Sequence, residues 1–381
     1  MKVLYDYQIF ESQKIGGISR YFAELIKHNP MAELSLKYSD NIYLHNEYFK
    51  KYKINYVYNN FFPNLNFKGK GRLLKYYTAL FKKNNRSISI ERLKKSNFDV
   101  FHPTYYNAYF LKYLKNKPFV VTVYDMIHEL FPQYFLDDKF TVHFKQHLIT
   151  QADIIIAISE NTKKDIVRYF PDLKEKIKVI YLGFSFEQLG DIKGKKDYIL
   201  FTGSRGGYKN FDNFVRAIAP LLLKYNLTLI CTGEPFNNNE IILFDYLGIT
   251  DRTISKFVLD NELFELYSEA IVFVFPSLYE GFGIPILEAF SAGCPAVLSN
   301  TSCFPEIAKD AAIYFDPYSV EDMRQVMEKV ILDSSLRSEL TRKGYERVKD
   351  FSWEETARQT YELYCEVLST HNVNGKISSK V

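Results

Sequence analysis

Short apolar runs alternate with longer segments of helical periodicity along most of the chain. In the first half the runs are Lys2–Tyr5, Phe98–Phe101, Phe119–Val123, Asp153–Ile158 and Ile177–Tyr181. In the second half they are Tyr198–Thr202, Leu227–Thr232, Ile271–Phe275 and Ala296–Ser299. Continuous short runs, without polar alternation, read as strands buried on both faces, as in parallel sheets. Between them Ile18–His28, Glu160–Tyr169, Phe211–Tyr225 and Asn261–Glu269 repeat apolar residues at helical spacing. The alternation predicts two α/β units built from βαβ elements, over 1–185 and 198–350. A linker is expected at 186–197, where Glu187–Asp197 carries two glycines and no core residues. Ser319-Val320-Glu321-Asp322 and Ser352-Trp353-Glu354-Glu355 read as capping boxes that open two late helices. The second of these helices is expected over 351–371, followed by a polar, disordered tail at 372–381.

Composition bounds this picture. The 381 residues are about twice the ~100–200 of one domain, so two cores are expected. Apolar residues make up 47% and charged residues 25%, which excludes a wholly disordered chain. No run approaches the ~18–20 apolar residues of a membrane span. Met1–Asp6 turns polar too soon for a signal peptide, so a cytoplasmic place is expected. The four cysteines form no C-x-x-C pair, which fits a reducing compartment and disfavours zinc. Charge is unevenly spread: residues 1–185 carry a net +12 and residues 186–381 a net −8. The stretch 68–95 alone holds ten Lys/Arg and one acid. Within it Leu73, Tyr77, Leu80 and Phe81 recur at helical spacing. Such a helix either lies on an anionic membrane surface or packs its apolar face on its own domain. No nucleic-acid recognition module is visible.

The sharpest chemical signal is Tyr279-Glu280-Gly281-Phe282-Gly283-Ile284-Pro285-Ile286-Leu287-Glu288-Ala289, directly after a predicted strand. Pro285 suits the first turn of a helix and Gly293 its C-terminal end. Glu280 then stands in the strand-to-helix loop and Glu288 about one turn into the helix. Gly281 and Gly283 let backbone approach a ligand, and the helix start favours an anion. Two carboxylates flanking an anion site suit a sugar on a nucleoside diphosphate. The plainer alternative is a glycine-rich turn with two solvated glutamates.

This segment resembles the E-x7-E motif of retaining, GT-B-fold glycosyltransferases, in particular family 4. Other segments resemble that family in the same order. They are Gly16-Gly17-Ile18-Ser19-Arg20-Tyr21, Ala152–Ser159, Thr202-Gly203-Ser204-Arg205 through Lys209-Asn210, and Phe351-Ser352-Trp353-Glu354. The resemblance implies an α/β fold of two Rossmann-like domains facing each other across a cleft. The acceptor would bind the first domain and the nucleotide sugar the second, and the last helix would cross back onto the first. By resemblance, Glu288 binds donor ribose hydroxyls and Glu280 contacts the transferred sugar. Backbone at Gly281, Phe282 and Gly283 meets sugar or diphosphate, and Gly16 and Gly17 approach the diphosphate from the other domain. Arg205 and Lys209 neutralise the diphosphate, whose charge grows as it leaves.

Relatives often carry His-Asp where this chain has Tyr124-Asp125, which leaves no imidazole at that position. Asp125 remains a candidate to orient an acceptor hydroxyl or take its proton, with a capping role as the alternative. His102 closes another strand at the same cleft and either lines the acceptor site or makes a structural bond. His143 and His147 lack a third metal ligand. There is no D-x-D, so metal-independent transfer is expected, with no cofactor beyond the nucleotide-sugar donor. Neither a P-loop nor G-x-G-x-x-G is present. The chain resembles O-antigen and capsule mannosyltransferases, which favours GDP-mannose over a UDP-hexose or UDP-N-acetylhexosamine. The expected acceptor is a growing saccharide or one linked to polyprenyl diphosphate. The expected place is the inner membrane surface, touched peripherally through the basic first half. A phosphorolytic enzyme on the same fold, a non-catalytic binding homologue and a membrane scaffold are the rival readings.

Overall fold

Parallel pairing dominates the chain, as short strands buried on both faces require. The structure is a computed structural model that describes residues 1–56, 70–136, 138–184 and 194–378. Among the described residues the first half forms β1 (Val3–Tyr5), β2 (Ala32–Leu34), β3 (Val100–His102), β4 (Val120–Val123), β5 (Ile154–Ala157) and β6 (Ile177–Val179). Two three-stranded sheets, β2-β1-β3 and β4-β5-β6, are joined by a parallel bridge between Phe101 and Phe119. The second half forms β7 (Lys196–Phe201), β8 (Thr228–Thr232), β9 (Thr253–Lys256), β10 (Ala270–Phe275), β11 (Ala296–Ser299) and β12 (Ala312–Phe315). Their order is β12-β11-β10-β7-β8-β9, and every pairing is parallel.

The middle strands show why continuous apolar runs are needed. In β10, Val272 and Val274 face one core while Phe273 and Phe275 face the other, and all four are buried. Strand order reverses between β7 and β10. In an open parallel sheet the crevice at the C-terminal strand ends opens at such a point.

The final helix, Trp353–Ser378, packs on the first unit. Tyr364 Oη bonds Tyr5 Oη at 3.0 Å, and Thr356 Oγ1 donates to the Tyr181 carbonyl at 2.8 Å. This helix runs past residue 372, where sequence pointed to a disordered tail. No proline interrupts it, and a helix nucleated on an anchored first turn propagates readily. β7 begins at Lys196, inside the expected linker, because Lys196 pairs with Ala270. The linker's residues 186–193 lie outside the described residues. The basic stretch forms the helix Lys70–Lys95. Half of its expected apolar stripe, Leu73 and Tyr77, lies outside the described side chains. Of the rest, Leu80 is exposed, and the Phe81 ring sits 4.6 Å from that of Tyr38.

Candidate active site

The loops leaving β7 and β10 bring Lys209 and Glu280 together. Lys209 Nζ lies 2.5 Å from Glu280 Oε1, and both side chains are largely enclosed. Burial alone would pull the Lys209 pKa down. The Glu280 carboxylate and Tyr208 outweigh it, and the net shift is upward. Lys209 is therefore a fixed cation at the strand-order reversal. The Glu280 backbone is held by Ser302, whose Oγ accepts from Glu280 N at 3.1 Å and donates to its carbonyl at 2.5 Å.

Gly281 is where the two halves meet. A β-carbon there would overlap the Tyr124 carbonyl, which comes from the loop after β4, so only glycine fits. Ser159 Oγ donates to the Gly281 carbonyl at 2.8 Å, again across the cleft. Glu306 reaches across as well, accepting the backbone N–H groups of Glu160 and Asn161 at 2.7 and 3.0 Å. Phe282 turns its ring into the core beside Tyr181 and Phe351, so only its backbone is available to a ligand.

Gly283 precedes the helix Ile284–Ser291 with φ of +90°, a conformation natural to glycine. It provides no side-chain cap, which leaves the helix start suited to an anion. Glu288 lies one turn on from Ile284 and shares its face. The helix Gly17–His28 opposes that face. A β-carbon on Gly17 would stand 3.5 Å from Ile284 Cδ1, and Arg20 Nη1 lies 3.9 Å from Glu288 Oε1. Gly16 immediately precedes this helix. Tyr267 Oη donates to Glu288 Oε2 at 3.3 Å. Arg20 and Tyr267 were not anticipated from sequence. The separation of three between Gly17 and Arg20, matched to four between Ile284 and Glu288, was the available signal for Arg20.

On the first unit Asp125 leaves β4 beside Gly281, with its Cβ 3.3 Å from where a Gly281 β-carbon would stand. Its Oδ1 accepts from Ile127 N at 3.0 Å, and its side chain stays about one-third exposed. Beneath it the enclosed Lys145 donates to the Asp125 carbonyl at 3.1 Å and pairs with Glu129 at 2.7 Å. Lys145 also escaped the sequence reading, since a lysine on a helix carries no sign of burial.

Two expected site residues are placed elsewhere. His102 does not line a cleft. It is fully buried, with Nδ1 bonded to Tyr364 Oη at 2.6 Å and Nε2 to Thr122 Oγ1 at 2.9 Å. Burial lowers its pKa to about 3, so it is neutral and structural. Arg205 does not face Lys209's partners. Its Nε donates to Glu240 Oε1 at 2.7 Å, and Nη2 donates to the carbonyls of Glu234 and Pro235 at 2.8 and 2.9 Å. The reason is Glu240, which caps the helix Asn238–Leu247 and would otherwise be a buried carboxylate without a cation. Among the described residues no group of three or more His, Cys, Asp or Glu side chains is placed to hold a metal ion.

The cleft thus offers a fixed cation, an uncapped helix start and two carboxylates with seven residues between them. That set suits an anion flanked by hydroxyl groups. Residues 186–347 match the family model described as glycosyl transferases group 1, and residues 47–188 match glycosyltransferase family 4. The crystal structure of Anabaena HepE in complex with UDP covers 96% of this chain and 100% of its own, with a TM-score of 0.69 at 15% identity. The architecture is therefore GT-B, two α/β units across a cleft.

Within that class the chain belongs to the group 1, family 4 glycosyltransferases. The serotype-specific mannosyltransferase WbdA of Escherichia coli is 28% identical over 270 residues, covering 64% of this chain and 33% of WbdA. The chain therefore matches about a third of WbdA's length. O-antigen chain mannosyltransferase B of Escherichia coli is 28% identical over 272 residues, 64% of this chain and 69% of that protein. No helix among the described residues is long and apolar enough to cross a membrane.

Proposed function

We propose that the chain moves a hexose, with retention, from GDP-mannose to a lipid-linked or growing saccharide in bacterial surface polysaccharide assembly. The observation that carries this is the Lys209–Glu280 pair beside the uncapped start of the helix bearing Glu288. The donor diphosphate sits between Lys209 Nζ and the Gly283–Ile284 backbone, displacing part of the Glu280 contact. Glu280 then turns to the hydroxyls of the transferred sugar, and Glu288 to the ribose hydroxyls.

As the anomeric C–O bond breaks, its electron pair passes to the diphosphate, where Lys209 and the helix start stabilise the charge. The acceptor oxygen bonds to the same face of that carbon. Its proton passes to the departing diphosphate oxygen, with Asp125 orienting the hydroxyl. No metal ion is required by this arrangement. Mannose is favoured because the two E. coli relatives are named mannosyltransferases. A UDP-hexose is the second reading, because HepE was solved with UDP. The net +12 of residues 1–185 supports peripheral contact with anionic lipid or a polyprenyl-diphosphate-linked acceptor.

The test is a panel of GDP-mannose, UDP-glucose and UDP-N-acetylglucosamine on the purified chain, with and without chelator. Thermal stabilisation and slow donor hydrolysis are read together. Stabilisation by GDP-mannose that chelator leaves unchanged is expected. Silence toward every donor would refute the transferase reading, and a response lost with chelator would refute metal independence.

A further inference from the structure

On the first unit a pocket of about 200 Å³ opens beyond the ends of β1 and β2, against the helix Lys70–Lys95. Nothing described so far uses it. One wall is aromatic: the Tyr38 and Phe81 rings lie 4.6 Å apart, tilted by 37°. Another wall is a fixed polar pair. Asn85 Nδ2 donates to Glu11 Oε1 at 2.7 Å, and Asn85 Oδ1 is pinned by the backbone N–H groups of Lys37 and Tyr38, each at 3.0 Å.

The charges that line the pocket balance. Glu11 and Asp40 stand against Lys14 and Lys82. A phosphate would meet two carboxylates there, and a cation would meet two ammonium groups. A neutral ligand rich in hydroxyls meets neither penalty. Aromatic faces beside a preset hydrogen-bonding group are what a sugar ring needs: its C–H faces lie on the rings and its hydroxyls on the Glu11 carboxyl, which Asn85 holds in place while spending its other amide hydrogen on the Tyr38 carbonyl at 2.8 Å. The space is several times the ~30 Å³ share of one water molecule and suits a single pyranose. Burial raises the Glu11 pKa to about 7, so the charge balance holds at about pH 8, where the carboxylate is present, while near neutrality the part-protonated carboxyl can also donate to a hydroxyl.

The pocket adjoins the catalytic cleft. Gln13 lines it, and Gln13 Oε1 accepts from Ser19 N, in the first turn of the glycine-loop helix, at 3.1 Å. The next contact along that helix is Gly17 against Ile284.

We propose that this pocket is a subsite for one neutral pyranose of the acceptor, a ring that binds without reacting. The proposal rests on the transferase reading for what it calls an acceptor. Binding energy from such a remote ring positions the reacting hydroxyl.

The experiment uses the intact chain and a panel of methyl α-mannopyranoside, methyl α-glucopyranoside, methyl α-galactopyranoside and N-acetylglucosamine, followed by saturation-transfer NMR. Glu11→Gln and Tyr38→Ala are compared with the native protein, since Gln keeps the bond from Asn85 if Tyr38→Ala folds poorly. We expect at least one pyranoside to bind in the millimolar range and to lose roughly tenfold in affinity in either variant. Affinity for GDP and UDP on the same samples should not change. Binding of no pyranoside, equal binding in native and variant chains, or displacement by inorganic phosphate would each overturn the subsite. The nucleotide titration is a separate arm: its silence with pyranoside binding intact refutes the transferase reading and upholds the pocket.

Discussion

Polar residues stand at the C-terminal strand ends of both units, yet they do opposite things. After β7 and β10, Lys209 and Glu280 pair with each other at the mouth of the cleft. At the end of β3, His102 is sealed in the interior, and after β4, Tyr124 is buried with its hydroxyl directed to the Thr104 carbonyl at 3.4 Å. The difference lies in where hydrogen-bonding capacity is spent. Both His102 nitrogens are committed to Tyr364 and Thr122, so nothing remains for a substrate. Lys209 and Glu280 spend theirs on each other, an arrangement a diphosphate and a sugar hydroxyl can replace. Arg205 repeats the lesson within one loop. Four residues from Lys209, its Nε and Nη2 are committed to a helix cap and two carbonyls, and only its buried Nη1 has no hydrogen-bond partner among the described residues.

The sharpest way to break the contrast is Lys209→Met. Loss of a preset cation should cut donor hydrolysis by about 10²–10³-fold, measured as nucleotide release. A loss below fivefold would remove Lys209 from the chemistry. Arg205→Met should act on the fold instead. It leaves Glu240 buried without its cation, and denaturant unfolding should show a loss of about 3 kcal/mol. Unchanged unfolding with lost turnover would reverse the assignments of the two cations. Glu288→Ala should weaken nucleotide-sugar binding by roughly 1–3 kcal/mol by calorimetry, and unchanged affinity would sink the ribose role.

His102 gives no effect at neutral pH and shows itself only on acidification. Its pKa falls from 6.5 to about 3 on burial. As pH drops below 6.5 the unfolded chain takes up a proton that the folded chain refuses. Stability is therefore full above 6.5 and falls by about 1.4 kcal/mol per pH unit on acidification until pH nears 3. His102→Gln should flatten the stability profile over that window. Parallel profiles for the two proteins would contradict the buried, neutral assignment.

The strands legible in the sequence are, the half-buried edge strand Ile177–Val179 apart, those buried on both faces, where an unbroken apolar run is required. The three missed, Ala32–Leu34, Thr253–Lys256 and Ala312–Phe315, are all sheet edges. An edge strand has one neighbour and tolerates polar positions, as the alternating exposure of Thr253–Lys256 shows. The Glu280–Glu288 segment was legible because local chemistry dictates it: a glycine before the helix, a proline in its first turn and carboxylates at fixed spacing. The fates of His102 and Arg205 were not legible, because their partners Tyr364 and Glu240 lie far along the chain. Lys145 was hidden for the same reason, since its burial is set by Glu129 and the Asp125 carbonyl.

The central claim is that the donor diphosphate is seated by Lys209 and the start of the Ile284–Ser291 helix, and not by Arg205. Calorimetric titration of GDP and of UDP into the native chain, Lys209→Met and Arg205→Met, all in chelator, tests it directly. The account predicts that one nucleotide binds the native chain, at least tenfold more weakly to Lys209→Met, and unchanged to Arg205→Met. Affinity lost in Arg205→Met but kept in Lys209→Met would contradict it, as would binding that appears only when a divalent ion is restored.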